Sequence, residues 1–416
     1  MCAAQSGNCY EADTPMLGVD EAIATLLENA NCTVSVRRIA LAKAEGRILA
    51  EALVSPIDVP GFDNSAMDGY ALNTRDLALA RSHGLKITQR IAAGGTGSPL
   101  EPGCCARIFT GAPVPDGANC VAIQEVCRVE NDRLLLDHDL QEHANIRPRG
   151  NDIAAGAVIL ERGTQLRAAQ LGLAASVGIA SANIYRKLRV AIFSTGDELV
   201  EPGQPLRAGQ IYNSNRYQLH ALLVAQGCKV IDLGTVADQP EATRHTLLKA
   251  ADKSDLIITS GGVSVGEEDH VRAALEETGR VRLWRIRMKP GKPLVFGQVR
   301  NTPFIGLPGN PVSVFVTFLL FARPYLQALQ GRAPGEPLSY PVRSAFGWRA
   351  GPRREYVRVR LSRAADGEVT AAAFPRQGSD VLSSVAWADG LVEVPENTDI
   401  QAGDTLRFLP MSEWTR

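Results

Sequence analysis

Six short apolar runs between Arg189 and Ile305 alternate with segments of helical period, and this alternation restricts the chain more than any other feature. Arg189 to Phe193, Lys229 to Leu233, Asp255 to Thr259, Arg282 to Ile286, Leu294 to Gly297 and Phe304 to Ile305 read as strands. Helices are predicted near 215–226, 240–252, 267–278 and 312–329. Such a pattern predicts a doubly wound α/β sheet of about 140 residues. Ligands of open α/β sheets bind beyond the carboxyl ends of the strands, so the residues after each strand are the candidates for chemistry.

After the third strand comes Ser260-Gly261-Gly262-Val263-Ser264-Val265-Gly266-Glu267-Glu268-Asp269, a glycine turn that runs into three carboxylates and a helix start. Free amides in such a turn suit an anion. Carboxylates there would repel a bare phosphate, and a divalent cation between them would remove the conflict. The alternative is a tight turn whose acidic residues suit the helix dipole. The same rim receives Ser194-Thr195-Gly196-Asp197-Glu198, Thr235 with Asp238, and Gly306-Leu307-Pro308-Gly309-Asn310-Pro311-Val312-Ser313. Each alone reads as a cap or turn. Together, Glu198, Asp238 and Asp269 beside loop amides and Ser313 make a candidate Mg²⁺ and phosphate site, because Mg²⁺ takes one or two carboxylates plus phosphate oxygens and waters.

Basic residues cluster next to that rim. Arg280, Arg282, Arg285, Arg287, Lys289 and Lys292 occur with no acid among them. Alternation predicts Arg285, Arg287 and Lys289 on one strand face. Charge on an edge strand explains Arg280 and Arg282. Lys289 and Lys292, in the turn Lys289-Pro290-Gly291-Lys292-Pro293, read as an oxyanion clamp. Three irregular segments are also dense in polar groups: 60–70, Thr110-Gly111-Ala112-Pro113 and Arg147-Pro148-Arg149-Gly150-Asn151-Asp152. By composition they are turn caps or part of a site.

The chain of 416 residues implies several domains. A mixed N-terminal domain is expected over 16–60 plus 150–187, with Val19, Ile23, Leu26 and Leu27 on one helical stripe and a second helical segment from Ile39 to Leu53. A β-rich module over 61–149 is inserted in it. The α/β domain spans 188–330, and short strands over 336–416 predict a small β-barrel. A net charge of -1, from 44 basic and 45 acidic residues, gives no global field for nucleic acid or anionic lipid. Eight cysteines without a C-x-x-C pair fit a reducing cytosol. The longest apolar stretch, Val312 to Ala322, has the length of a core helix, so no membrane span and a cytoplasmic location are expected.

FDNSAMDGYAL (62–72), TGAPVP (110–115), RPRGNDI (147–153), STGDEL (194–199), GQIYNSNRY (209–217), TSGGVSVGEEDH (259–270), KPGKP (289–293), GLPGNPVS (306–313) and RQGSD (376–380) together resemble the molybdopterin molybdenumtransferases, the MoeA family. Eukaryotic relatives include the E domain of gephyrin. The resemblance implies an enzyme that inserts molybdate into adenylylated molybdopterin with release of AMP, using Mg²⁺. It puts Glu198, Asp238 and Asp269 around metal and nucleotide, beside Gly261 and Gly262. Lys289, Lys292, Ser313, Arg358 and Ser379 fall at positions for molybdate or the pterin phosphate. Asp68, Thr110 and Asp152 correspond to residues that another subunit brings to the cleft of an elongated homodimer. Two positions depart from the family pattern: Arg285 stands for a lysine and Asn213 for an aspartate. The competing readings are a molybdopterin adenylyltransferase, which needs the glycine loop but not the KPGKP turn, and a scaffold of the gephyrin E-domain type.

Overall fold

The computed structural model describes residues 16–262, 270–333, 335–363 and 367–413, without the side chains of Leu283 and Trp284. The chain divides into two compact units: one holds residues up to Arg37, Gly46–Ala50 and Ile184–Arg416, the other Arg38–Glu45 and Glu51–Asn183.

In the first unit, strands β1 (Arg189–Thr195), β2 (Lys229–Val236), β3 (Leu256–Ser260), β4 (Gly279–Arg285), β5 (Pro293–Val299) and β6 (Thr302–Leu307) form one sheet in the order β2-β1-β3-β6-β5-β4. The first four neighbours are parallel; β5 and β4 continue the sheet antiparallel. Helices α1 (Ser214–Ala225), α2 (Pro240–Lys253), α3 (His270–Thr278) and α4 (Pro311–Leu329) cover its two faces. Alternation along β1 divides the core. Val190 and Ile192 pack with Leu219 and Leu223 of α1 and with α4, while Ala191 and Phe193 pack with Leu247 of α2 and Leu275 of α3. Every residue of β3 is buried, as a strand covered on both faces requires. Among the described helices, α4 is long and apolar enough to cross a membrane, but 83% of that stretch is buried inside the fold.

The C-terminal part closes as expected into a barrel. Strands β7 (Tyr340–Ser344), β8 (Arg354–Arg363), β9 (Val369–Ala373), β10 (Gly390–Val394) and β11 (Thr405–Pro410) pair in a ring, around Val342, Val357, Val359, Ala371, Val392 and Phe408. Met288 and Lys289 add to β8, parallel to Arg354 and Glu355.

Two sequence expectations are corrected. Ile39 to Leu53 is not a helix: Val36–Ala40 is a strand, a single 3-10 turn covers Leu41–Lys43, and Gly46 at φ 69° breaks the helical path. Nor do Arg285, Arg287 and Lys289 share one strand. Arg285 ends β4 at the sheet edge, Arg287 reaches back to the Met16 carbonyl, and Lys289 belongs to the barrel pairing. Separate sheets capture the two ends of the segment, which breaks the alternation.

In the second unit Gly69–Leu72, Leu85–Ile91, Cys104–Ile108, Cys120–Ile123, Cys127–Glu130 and Arg133–Leu136 form a six-stranded sheet, matching the β-rich reading of this region.

Asp255 ties the strand bases of the first unit together. Its carboxylate receives a bidentate pair from Arg186 (2.6 and 2.8 Å), the Arg189 amide (2.8 Å) and the Arg189 guanidinium (3.0 Å). Burial pushes its pKa up, but the Arg186 and Arg189 hydrogen bonds outweigh burial and bring it down to about 2. A folded pKa below the unfolded value gives stability that is present above about pH 4 and lost as pH falls through about 2. Asp255→Asn is therefore expected to cost roughly 2–3 kcal/mol at neutral pH. Urea unfolding should show the gap to wild type narrowing between about pH 4 and 2.

Candidate functional site

The carboxyl rim of the parallel strands opens on a cavity of about 1140 Å³. Its lining includes Glu198, Asp238, Gly261, Gly262, Lys289, Lys292, Ser313 and Ser379. Eight of the thirteen positions singled out from the sequence thus meet in one space.

The acidic wall follows from β1 and β2. The turn after β1 passes through Gly196 at φ 145°, and the Glu198 carboxylate folds so close over Gly196 that a Cβ there would lie 2.5 Å from Oε2. Asp238, after β2, donates its amide to Asp197 Oδ1 at 3.1 Å, which links the two acidic loops. No group of three or more potential metal ligands occurs among the described residues. Asp269, the third expected carboxylate, lies outside the described residues. Glu198 and Asp238 alone still match the one or two carboxylates that Mg²⁺ takes when phosphate oxygens and waters complete the shell.

A polar layer beneath the rim holds these loops. Asn213 is buried; its Oδ1 caps α1 through the Arg216 amide (3.2 Å) and accepts from Ser194 Oγ (3.4 Å), while its Nδ2 donates to Thr235 Oγ1 (3.0 Å). The neutral amide at this position serves as a brace, using both donor and acceptor as a carboxylate cannot.

The basic wall comes from the turn between β4 and β5. Lys289 Nζ lies 3.2 Å from Glu355 Oε2, and Glu355 also accepts from Trp348 Nε1 at 3.2 Å. No ion pair with a described residue holds Lys292. Arg353 adds a third cation to the lining, its guanidinium 3.5 Å from the Met288 carbonyl. Sequence reading missed Arg353 and Glu355, because only the pairing of Met288–Lys289 with β8 brings them there. Their one sequence signal is that they flank Arg354, where the alternating strand β8 begins.

Arg358 does not reach the cavity. It is 1% exposed and donates to Ser384 Oγ (3.1 Å), the Tyr356 carbonyl (3.2 Å) and the Gly378 carbonyl (3.0 Å). Burial lowers its pKa to about 10, opposed by the charge of Glu355. It anchors the Gly378–Ser379 loop, which does line the cavity. Ser379 in turn binds the start of α4, its Oγ accepting from Asn310 Nδ2 (3.0 Å) and its carbonyl from the Val312 amide (3.0 Å).

Asp68, Thr110 and Asp152 belong to the second unit. Asp68 Oδ1 accepts from the Thr110 amide and hydroxyl, both at 2.8 Å, and these bonds hold its carboxyl below the usual range. Ser65 exchanges backbone bonds with Gly111 and Ala112, and the Asn145 carbonyl takes the Ala66 amide. Asp63 Oδ1 receives the Arg149 amide at 2.7 Å, and Val59 receives the Asp152 amide at 2.9 Å. The three polar segments read from the sequence are thus one connected cluster.

A doubly wound sheet whose carboxyl rim opens on a cavity lined by acids and lysines defines an α/β ligand-binding protein. Comparison with known proteins narrows the class. The MoeA N-terminal region (domain I and II) matches residues 17–178, a probable molybdopterin binding domain 191–328, and the MoeA C-terminal region (domain IV) 341–411. A molybdopterin molybdenumtransferase of Haemophilus influenzae is 39% identical over 402 residues, covering 95% of this chain and 99% of that protein. One from Nostoc is 42% identical over 310 residues, covering 72% and 71%. The crystal structure of a molybdopterin biosynthesis moeA protein from Pyrococcus horikoshii OT3 superposes with a TM-score of 0.82 at 27% identity, covering 95% of this chain and 100% of that one. The chain belongs to the MoeA family, a transferase of molybdenum cofactor biosynthesis.

Proposed function

We propose that the protein inserts molybdate into adenylylated molybdopterin and releases AMP, with Mg²⁺ at the acidic wall. The observation that carries this reading is the single cavity shared by Glu198 and Asp238 with Lys289, Lys292 and Ser379. A nucleotide-bearing pterin has a phosphoanhydride and molybdate is a tetrahedral oxyanion, so the substrates need both walls. Lys289, Lys292 and Arg353 supply cationic donors for the anions, and the Ser313 and Ser379 hydroxyls supply neutral ones. Glu198 and Asp238 would hold Mg²⁺, which polarises the phosphoanhydride when bound. The glycine turn at Gly261 and Gly262 lets the backbone approach the substrate closely.

The homodimer belongs to the same proposal: a second copy of the chain brings its Asp68, Thr110 and Asp152 to the cavity. Support comes from the connected cluster those residues form, which belongs to the second unit and not to the unit that holds the cavity. A cytoplasmic location fits the eight cysteines of the sequence.

The testing experiment is molybdate-triggered AMP release from purified adenylylated molybdopterin. Asp238→Asn is expected to bind the substrate and to slow release by about a hundredfold, as loss of a transition-state electrostatic contact does. Release at the wild-type rate by that variant, or release indifferent to molybdate in the native protein, contradicts the proposal. Pyrophosphate formed from ATP and molybdopterin would indicate an adenylyltransferase instead.

A further inference from the structure

Glu355 is the buried carboxylate nearest the basic wall. Its side chain is 8% exposed, and that of Lys289 is 44% exposed. Both carboxylate oxygens face the Lys289 ammonium, at 3.2 and 3.3 Å, and Trp348 Nε1 donates to Oε2. A buried carboxylate needs a cation or several donors to remain charged. Trp348 is neutral, and the Arg358 guanidinium, which also feels the Glu355 charge, is buried and bonded to Ser384, Tyr356 and Gly378, so Lys289 carries the compensation on the cavity side. Lys289 therefore presents oriented N–H groups to the cavity with its unit charge largely cancelled. Lys292 has no acidic partner among the described residues to offset it.

We propose that Glu355 is an internal counter-ion that positions Lys289 and weakens its hold on the oxyanion, so that bound anions are released rather than trapped. Two uncompensated ammonium groups and Arg353 around one dianion would bind it tightly. With the pair in place, Lys289 contributes direction and Lys292 contributes field. Register sets this division of labour. Lys289 is paired directly with Glu355 across the added strand, whereas Lys292 lies beyond Pro290 and Gly291 with no such neighbour. The inference rests on the oxyanion-binding reading of this wall.

Equilibrium dialysis of the full-length protein against inorganic molybdate tests it. Glu355→Gln keeps the size and an acceptor for Trp348 but removes the counter-charge. The Kd for molybdate is then expected to fall roughly tenfold, the screened value for a half-exposed partner. Trp348→Phe leaves Lys289 as the main partner of Glu355 and is expected to raise Kd by about two- to threefold. In a Lys289→Gln background the Glu355→Gln change should have no effect, since the pair is already broken. Unchanged, weaker or undetectable molybdate binding in Glu355→Gln overturns the inference, because a merely structural carboxylate would loosen Lys289 when lost. If Lys289→Gln and Lys292→Gln both leave molybdate binding intact, the oxyanion reading of the wall itself fails.

Discussion

Lys292→Ala is expected to lower kcat/KM by about a hundredfold and to leave thermal stability unchanged. The side chain lines the cavity and forms no ion pair with a described residue, so its removal breaks no structural contact there. Pro290, Gly291 and Pro293 shape the turn, and the Lys292 carbonyl that accepts the Ile286 amide survives in alanine. What disappears is a charged donor aimed at the anion. Lys292→Arg should recover part of the loss, since charge returns without the same hydrogen-bond geometry. Steady-state kinetics and a melting curve on the same preparations check both halves. A drop in Tm that accounts for the lost activity would assign Lys292 to the fold instead.

Gly262→Ala is expected to damage stability and activity together. Gly262 sits at φ 64°, where an L-residue costs about 1–2 kcal/mol. An added Cβ would also meet Val271 Cγ2 at 2.5 Å and Thr195 Oγ1 at 2.8 Å. Both neighbours are buried, so neither side chain moves aside cheaply, and overpacking of this kind adds about 1–3 kcal/mol. Urea unfolding should show a total loss of roughly 2–5 kcal/mol. The rim must shift to accept the methyl, and a displacement of about 1 Å at reacting groups costs on the order of a hundredfold in rate. Gly172→Ala, a helix position with open space around it, is the control and should be benign.

The α/β part of the fold was readable because its signals are local. Apolar runs such as Leu256–Ser260 mark covered strands, and glycine turns mark their carboxyl ends. Those two facts sufficed to gather Glu198, Asp238, Gly261, Gly262 and Ser313 on one rim. What escaped the sequence depends on partners far along the chain. Met288–Lys289 joins the barrel through residues 354 and 355, so local alternation placed Lys289 beside Arg285 and left Glu355 and Arg353 unnoticed. Arg358 is placed among the anion-binding positions by the family resemblance, outside the quoted motifs; in the structure it lies buried on a barrel strand and donates to Ser384 and Gly378. The residues from Ile39 to Leu53 carry an apolar content that suits a helix. The strand Val36–Ala40 and the turn at Gly46 arise because a distant segment captures the chain; the Ala180 carbonyl, for one, takes the Leu41 amide.

The central claim is that one cavity holds a divalent cation on its acidic wall and an oxyanion on its basic wall at the same time. A crystal structure with AMP, Mn²⁺ and tungstate bound, read by anomalous scattering at each metal's absorption edge, tests this most directly. The account predicts manganese against Glu198 and Asp238, and tungsten within reach of Lys289, Lys292 and Ser379 in the same cavity. Manganese away from both carboxylates, or tungsten on another surface, would contradict it.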